Sequence, residues 1–153
     1  MDAPIQVHGL TKVYGGGFRA VDALELNVPK RSFMGFLGPN GAGKTTSIKI
    51  ITNMLTATSG EAYINGVSVM QDPKTALADV GAVVETPEFY PYLTPMETLH
   101  YLGALRGMPI CETTNRGRDL LEMVKLTEWK DQRVGKFSKG MKQRLAIAQA
   151  LLP

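Results

Sequence analysis

Apolar and polar positions divide the chain into a front part that alternates and a back part that repeats with helical spacing. From Ile5 to Leu10 the two classes alternate, with Val13 and Tyr14 close behind, which predicts a half-buried strand. A flexible turn, Gly15-Gly16-Gly17, leads to Ala20–Val28, apolar at Leu24, Leu26 and Val28 and closed by Pro29. Two antiparallel strands are therefore expected at the start. Phe33–Leu37 is a short apolar run of buried-strand type, and Ile48, Ile51 and Leu55 mark one face of a following helix. Ser59-Gly60 reads as a turn and Glu61–Ile64 as a strand. Asn65-Gly66 is the strongest short hairpin signal, returning through Val67–Val69. Asp72-Pro73 supplies a cap and a first-turn proline for a short helix to about Leu77, and Val80–Val84 is a second buried-type strand.

From Glu85 the pattern changes. Residues 86–92 form an aromatic loop punctuated by Pro87 and Pro91. Thr94-Pro95-Met96-Glu97 joins a capping box to a first-turn proline, predicting a helix through Leu99 and Leu102 to about Arg106, ended by Gly107. Thr113 or Thr114 can cap a further helix carrying Leu120, Met123 and Val124. Residues 86–135 thus read as a mostly helical insertion. A last helix begins at Ser138, with Met141, Leu145, Ala148 and Leu152 on one face.

The chemistry sits between the first buried-type run and its helix. Gly38-Pro39-Asn40-Gly41-Ala42-Gly43-Lys44-Thr45-Thr46 fits G-x-x-x-x-G-K-[ST], the phosphate-binding P-loop. Its glycines let the backbone wrap a phosphate chain with N–H groups pointing inward. The helix that starts at Gly43–Lys44 adds its positive dipole end. Lys44 would reach the β- and γ-phosphates, and the Thr45 hydroxyl would hold Mg²⁺. This composition yields the pattern by chance in about one chain in a hundred, before the strand–loop–helix context is counted. An ordinary glycine-rich turn is the weaker reading.

Composition bounds the rest. At 153 residues, 44% hydrophobic and 20% charged, the chain is an ordinary soluble globular protein of one domain. A net charge of +3 suits a polyphosphate, but no Lys/Arg block is dense enough to argue for nucleic acid. The single Cys111 excludes an internal disulfide and has no partner residue that would make it a metal ligand or nucleophile. No apolar run reaches the ~18 residues of a membrane span, and no signal peptide opens the chain.

A P-loop serves many enzymes. The D-x-x-G and N-K-x-D strings of GTPases are absent, and the region after Glu85 lacks the Arg-rich lid of a small-molecule kinase. The discriminating stretch is Phe137-Ser138-Lys139-Gly140-Met141-Lys142-Gln143-Arg144, placing Ser138 94 residues after the P-loop lysine. Ser138 at a helix N-cap, followed by Gly140, offers a hydroxyl and free N–H groups at a positive dipole end, a second anion site. Simple capping is the local alternative.

Here the chain resembles the nucleotide-binding domain of ABC transporters, whose signature reads L-S-G-G-Q followed by basic residues. The likeness runs from about residue 4 to the end. Tyr14 looks like the A-loop aromatic that stacks on adenine, though a plain strand-end aromatic is the alternative. Gly38–Thr46 is the Walker A loop, Val80–Glu85 takes the place of the Q-loop, and the helical insertion follows where the family has its helical subdomain. The resemblance implies ATP and Mg²⁺ as ligands, with Ser138 and Gly140 meeting the γ-phosphate held by a second nucleotide-binding domain. It also places the loop Glu85–Tyr92, with Phe89, Tyr90 and Tyr92, near the groove that receives a transmembrane permease subunit; packing over the insertion is the alternative.

Three positions depart from the pattern. Lys139 stands for the first signature glycine and Met141 for the glutamine, as in a subgroup of bacterial exporters that includes antibiotic-resistance types. Glu85 replaces the Q-loop glutamine; it could ligate Mg²⁺ or orient water, or be a strand-end carboxylate. His8 and His100 lie apart from other candidate ligands and read as structural or surface residues. Only 15 residues follow Ser138, with no Walker B Asp, catalytic Glu or switch His among them.

The expectation is therefore an α/β P-loop NTPase, the N-terminal portion of an ABC ATPase. It has a mixed sheet, antiparallel strands at the start and a helical subdomain insertion. Residues 1–85 form the core, 86–137 the helical subdomain and 138–153 the signature helix. No catalytic residue is present, so hydrolysis is expected far below that of a complete domain. The place of action would be the cytoplasmic face of the membrane, peripheral and through a partner. The rivals are a truncated module that binds ATP without turnover and a soluble non-transport ABC ATPase.

Overall fold

The computed structural model describes residues 3–85 and 87–152, and within these the chain divides into two compact units that part between Asp79 and Val80. In the first unit, strand β1 (Ile5–Val13) pairs antiparallel with β2 (Arg19–Val28) on one edge and with β3 (Ser59–Ile64) on the other. Strand β4 (Val67–Ser68) continues the sheet beyond β3, giving the order β2-β1-β3-β4. The alternation read from the sequence is the physical basis of this pairing. Val7 of β1, Val21 of β2 and Ala62 and Ile64 of β3 are buried, and a register shift between Val7 and Leu10, at left-handed Gly9 (φ 56°), returns Leu10 to the buried face. Asn65 (φ 50°) and Gly66 (φ 80°) form the two-residue hairpin, both left-handed as a type I′ turn requires. Ser59-Gly60, expected as a turn, is instead the first part of β3.

Helix α1 (Lys44–Ile51) starts on Gly43 and buries Ser47, Ile50 and Ile51. The expected face was different. Ile48 is exposed and Leu55 lies past the helix end, because the helix closes at Thr52 and turns its 47/50/51 side inward. Helix α2 (Pro73–Ala76) is capped as expected: the Asp72 carboxylate accepts from the Thr75 N–H at 3.1 Å, and the Thr75 side chain and backbone together hold its pKa below the usual value.

Neither expected buried-type strand forms. Residues 33–37 and 80–84 run without strand pairing, so the four-stranded sheet is antiparallel throughout rather than mixed. Phe33 is fully exposed and Leu37 is 90% exposed. Their apolar composition is that of a strand covered on both faces, but such a strand needs neighbours to hydrogen-bond with. Among the described residues no strand runs beside either segment. Residue 81 meets another constraint, because a Cβ there would fall 1.7 Å from the Ala150 carbonyl oxygen.

The second unit is helical. Helix α3 (Pro95–Leu105) opens on a complete capping box: Thr94 Oγ1 accepts from the Glu97 N–H at 3.3 Å and the Glu97 carboxylate accepts from the Thr94 N–H at 2.8 Å. Helix α4 (Ile110–Met123) begins three residues before the expected cap. Pro109 is its N-cap, so Thr113 and Thr114 lie inside the helix and donate to the carbonyls of Pro109 and Ile110. Buried Thr113 sits against Gly103, where a Cβ would come within 2.5 Å of its hydroxyl, so α3 and α4 pack closely. Helix α5 (Lys139–Ala150) carries the last apolar stripe. Leu145 and Ala148 join Leu99, Leu120, Leu121, Leu126 and Leu152 in one core, with Met141 packed on it. Each such buried leucine contributes about 1.5–3 kcal/mol.

Removing the α3 box gives a measurable result. Thr94→Ala should lower stability by about 1 kcal/mol in denaturant titration. The Glu97 pKa is lowered chiefly by its bond to the Thr94 backbone N–H. A depressed carboxylate stabilises the fold above its unfolded pKa, and that share disappears as pH falls through the lowered folded value. The gap between wild type and Glu97→Ala, which removes that acceptor, should therefore narrow in acid below the ordinary glutamate range; a gap constant down to pH 2 contradicts this account.

Candidate functional site

The P-loop lies in the first unit, between the end of Gly38 and the first turn of α1. Gly43 is the N-cap of α1 at φ 83°, without a side-chain cap, and Gly41 is left-handed at φ 87°. The helix start is set down directly on β2: a Cβ at Gly43 would lie 2.2 Å from the Ala20 carbonyl oxygen. Thus the helix start is set closely against Ala20 and Val21 of the strand that follows the Gly15–Gly17 turn. Lys44 folds over its own loop, with Nζ donating to Gly38 O at 2.6 Å and Pro39 O at 2.7 Å. Ser47 ties the first turn down by donating from Oγ to Gly43 O at 3.0 Å.

A cavity of about 290 Å³ opens over this loop. Its walls are Asn40 to Thr46 on one side and Tyr14, Phe18 and Ala20 on the other. Of the expected site residues in this unit, the cavity therefore gathers Tyr14, Asn40, Gly41, Ala42, Gly43, Lys44, Thr45 and Thr46. Gly38 and Pro39 stand beside it as acceptors for Lys44. Phe18 and Ala20 escaped the sequence reading. For Phe18 the signal was available in the hairpin: residues flanking a Gly-rich turn at equal distance oppose each other across the strands.

The second unit holds the other expected residues. Ser138 caps α5, its Oγ accepting from the Met141 N–H at 3.3 Å. Gly140 lies in the first turn, where a Cβ would meet nothing closer than Ser138 Oγ at 3.9 Å, so the fold of this chain does not itself demand glycine there. Glu85 adopts a left-handed φ of 64° instead of ending a strand. Thr86 lies outside the described residues. Phe89 packs on the helical core, whereas Tyr90 and Tyr92 remain largely exposed, and Tyr90 stacks edge-on with Tyr101 at 5.5 Å. The hydroxyl contact with Tyr90 raises the Tyr101 pKa. A groove beside the signature is lined by Pro87, Glu88, Phe89, Lys139 and Lys142. His8 pairs with Glu25 at 3.3 Å and His100 with the Thr114 hydroxyl at 2.9 Å; Cys111 is a free, exposed thiol.

Among the described residues no three of His, Cys, Asp and Glu gather in a way that could hold a metal ion. The donor set at the P-loop suits a hard cation that arrives with phosphate oxygens, with the Thr45 hydroxyl as the protein oxygen at the cavity wall.

With this geometry in place, similarity to known proteins decides the family. The ABC transporter family pattern matches residues 21–153. The chain belongs to the ABC transporter family. The bacitracin transport ATP-binding protein BcrA of Bacillus licheniformis is 41% identical over 152 residues, covering 99% of this chain and 48% of that protein. The glycine betaine/carnitine/choline transport ATP-binding protein OpuCA of Bacillus subtilis is 32% identical and 39% covered. The chain thus spans about half the length or less of these relatives. Among solved structures, an ATP-binding subunit of an ABC transporter superimposes with a TM-score of 0.84 at 30% identity, covering 97% of this chain and 61% of that one. A dimeric ATP-binding cassette holding ADP and Pi after hydrolysis gives 0.84 at 28% identity, covering 97% and 69%. The α/β class and the helical region after residue 86 agree with the ABC ATPase fold. No helix among the described residues is long and apolar enough to cross a membrane.

Proposed function

We propose that this chain is the ATP-binding part of an ABC transporter subunit, taking the triphosphate on Gly38–Thr46 and the base against Tyr14. The observation that carries this is the single cavity that joins the α1 N-terminus, Lys44 and an exposed aromatic ring. The backbone N–H groups at the start of α1 and the Lys44 ammonium supply positive charge where the phosphates would lie. Thr45 would hold Mg²⁺ next to them, and the metal would supply charge neutralisation for the transferring phosphoryl group. Glu85 is retained as the candidate carboxylate for that metal, on its place in the family pattern.

Ser138 and Gly140 are proposed to complete the site of a second copy from its far side, so that ATP is held between two chains. Support comes from the relatives, which include a dimeric cassette with ADP and Pi. The exposed Tyr90 and Tyr92 suit the contact with a permease subunit, which would place the protein on the cytoplasmic face of a membrane. The likeness to a bacitracin transport protein favours export of an antibiotic-type cargo by the assembled transporter. For residues 1–153 on their own we propose ATP binding with little hydrolysis: the residues after Ser138 contain no carboxylate to act as general base.

The phosphate chain should dominate affinity. In calorimetric titration ATP should bind at least about a hundredfold more tightly than AMP, since each charge-assisted phosphate contact contributes ~1.5–3 kcal/mol. Equal affinity for the two would place the ligand away from the P-loop and overturn the proposal.

A further inference from the structure

The cavity over the P-loop has a second aromatic wall that the motif does not contain. Tyr14 and Phe18 stand at the two feet of the Gly15–Gly17 turn, which is pinned by the Tyr14 N–H donating to Phe18 O at 2.8 Å and the Gly17 N–H donating to Tyr14 O at 3.2 Å. The adjacent pair in the ladder is Val13 with Arg19, so Tyr14 and Phe18 oppose each other and project to the same side of the hairpin. Both line the cavity, and Phe18 is 63% exposed and Tyr14 42%. An exposed phenylalanine at a hairpin foot gains nothing for the fold; its surface is available to a ligand.

Tyr14 is also held from behind. The Lys12 ammonium lies 5.3 Å from the centre of the Tyr14 ring and donates to Thr56 O at 2.7 Å. The same end of β1 is fastened to the approach of β3, where the Thr58 hydroxyl accepts from the Val13 N–H at 2.9 Å. The cation therefore holds the Tyr14 ring by one face, and the same ring lines the cavity. At this end of the cavity the side chains are two rings and the Ala20 methyl; the polar side chains, Asn40, Lys44, Thr45 and Thr46, belong to the phosphate end.

Building on the nucleotide reading, we propose that Phe18 is a second base-positioning residue that, with Tyr14 fixed by Lys12, grips the purine of a nucleoside triphosphate by its ring faces. Such a grip reads ring size more than exocyclic groups, because the Tyr14 hydroxyl is the one side-chain donor or acceptor among the described residues that line this end. ATP and GTP should therefore bind within about threefold of each other, UTP more weakly, and a bare phosphate chain more weakly still. Base stacking on an aromatic wall corresponds to about a tenfold change in affinity.

The test titrates the full chain with ATP, GTP, UTP and inorganic tripolyphosphate in the wild type, Phe18→Ala, Phe18→Tyr and Lys44→Ala. Phe18→Ala should weaken ATP and GTP about tenfold, leave tripolyphosphate unchanged, and be rescued by Phe18→Tyr. Three outcomes overturn the inference: ATP unaffected by Phe18→Ala, ATP and tripolyphosphate weakened equally, or a wild type that binds tripolyphosphate as well as ATP. Unchanged tripolyphosphate binding in Lys44→Ala would instead remove the P-loop reading on which the inference rests.

Discussion

Lys44→Ala should reduce ATP affinity by about a hundredfold or more while leaving the fold in place. In the structure the ammonium donates to two neutral carbonyls, Gly38 O at 2.6 Å and Pro39 O at 2.7 Å. Phosphate oxygens carry full negative charge, and hydrogen bonds between two ionised groups are roughly twice as strong as neutral ones. Binding is thus an exchange of two neutral acceptors for anionic ones, and alanine can make neither kind of contact. One charge-assisted bond of ~1.5–3 kcal/mol corresponds to roughly a 10- to 150-fold change, and Lys44 is positioned to make two. The cost to stability is small, because the loop carbonyls it serves are exposed and can turn to water. Titration calorimetry and thermal unfolding on the same preparation separate the two effects. An unchanged Kd for ATP would show that the loop is not the phosphate site; a large fall in Tm would show that Lys44 is chiefly a brace.

Gly43→Ala should destabilise the first unit by about 3 kcal/mol or more and abolish tight ATP binding. Two penalties combine. The residue sits at φ 83°, where an L side chain costs ~1–2 kcal/mol. Its Cβ would also fall 2.2 Å from Ala20 O and 3.1 Å from Val21 Cγ2, and the nearer atom is backbone of a paired strand that cannot give way cheaply. The α1 N-terminus would have to lift off β2, carrying its N–H groups away from the wall formed by Tyr14 and Phe18. Gly41→Ala is the control. Gly41 is also left-handed, at φ 87°, but a Cβ there meets nothing within 4 Å, so only the conformational cost should remain. Denaturant unfolding should separate the pair by at least ~1.5 kcal/mol. Equal effects would mean that the steric contact with Ala20 plays no part.

Local chemistry was legible along the chain. The capping box at Thr94–Glu97, the Asp72-Pro73 helix start, the Asn65-Gly66 hairpin and the Met141/Leu145/Ala148/Leu152 stripe each depend on residues a few positions apart. Propensity and period act over that range, so the expectations and the structure agree. The failures share the opposite property. Thr113 looks like a cap, yet its hydroxyl can be satisfied by the Pro109 carbonyl inside a helix, and its burial is set by Gly103 on another helix. Residues 33–37 and 80–84 have strand composition, but a strand exists only with a partner to bond to, and composition does not name the partner.

For the candidate site the division falls within a few ångströms. The proposed phosphate loop, its lysine and the hydroxyl proposed to hold Mg²⁺ are legible in residues 38 to 46 alone, because a P-loop is a local device of backbone N–H groups at one helix start. Membership of the ABC transporter family rests on the family pattern that matches residues 21–153. What surrounds the loop is not legible in this way. Ala20 beneath Gly43 and Phe18 opposite Tyr14 come together through strand register, in which a shift of one residue would turn each side chain to the other face, and Lys12 is tied in place over the Tyr14 ring by Thr56 O. The proposed triphosphate end of the site is written in consecutive residues; the proposed base end exists only once β1 and β2 have paired.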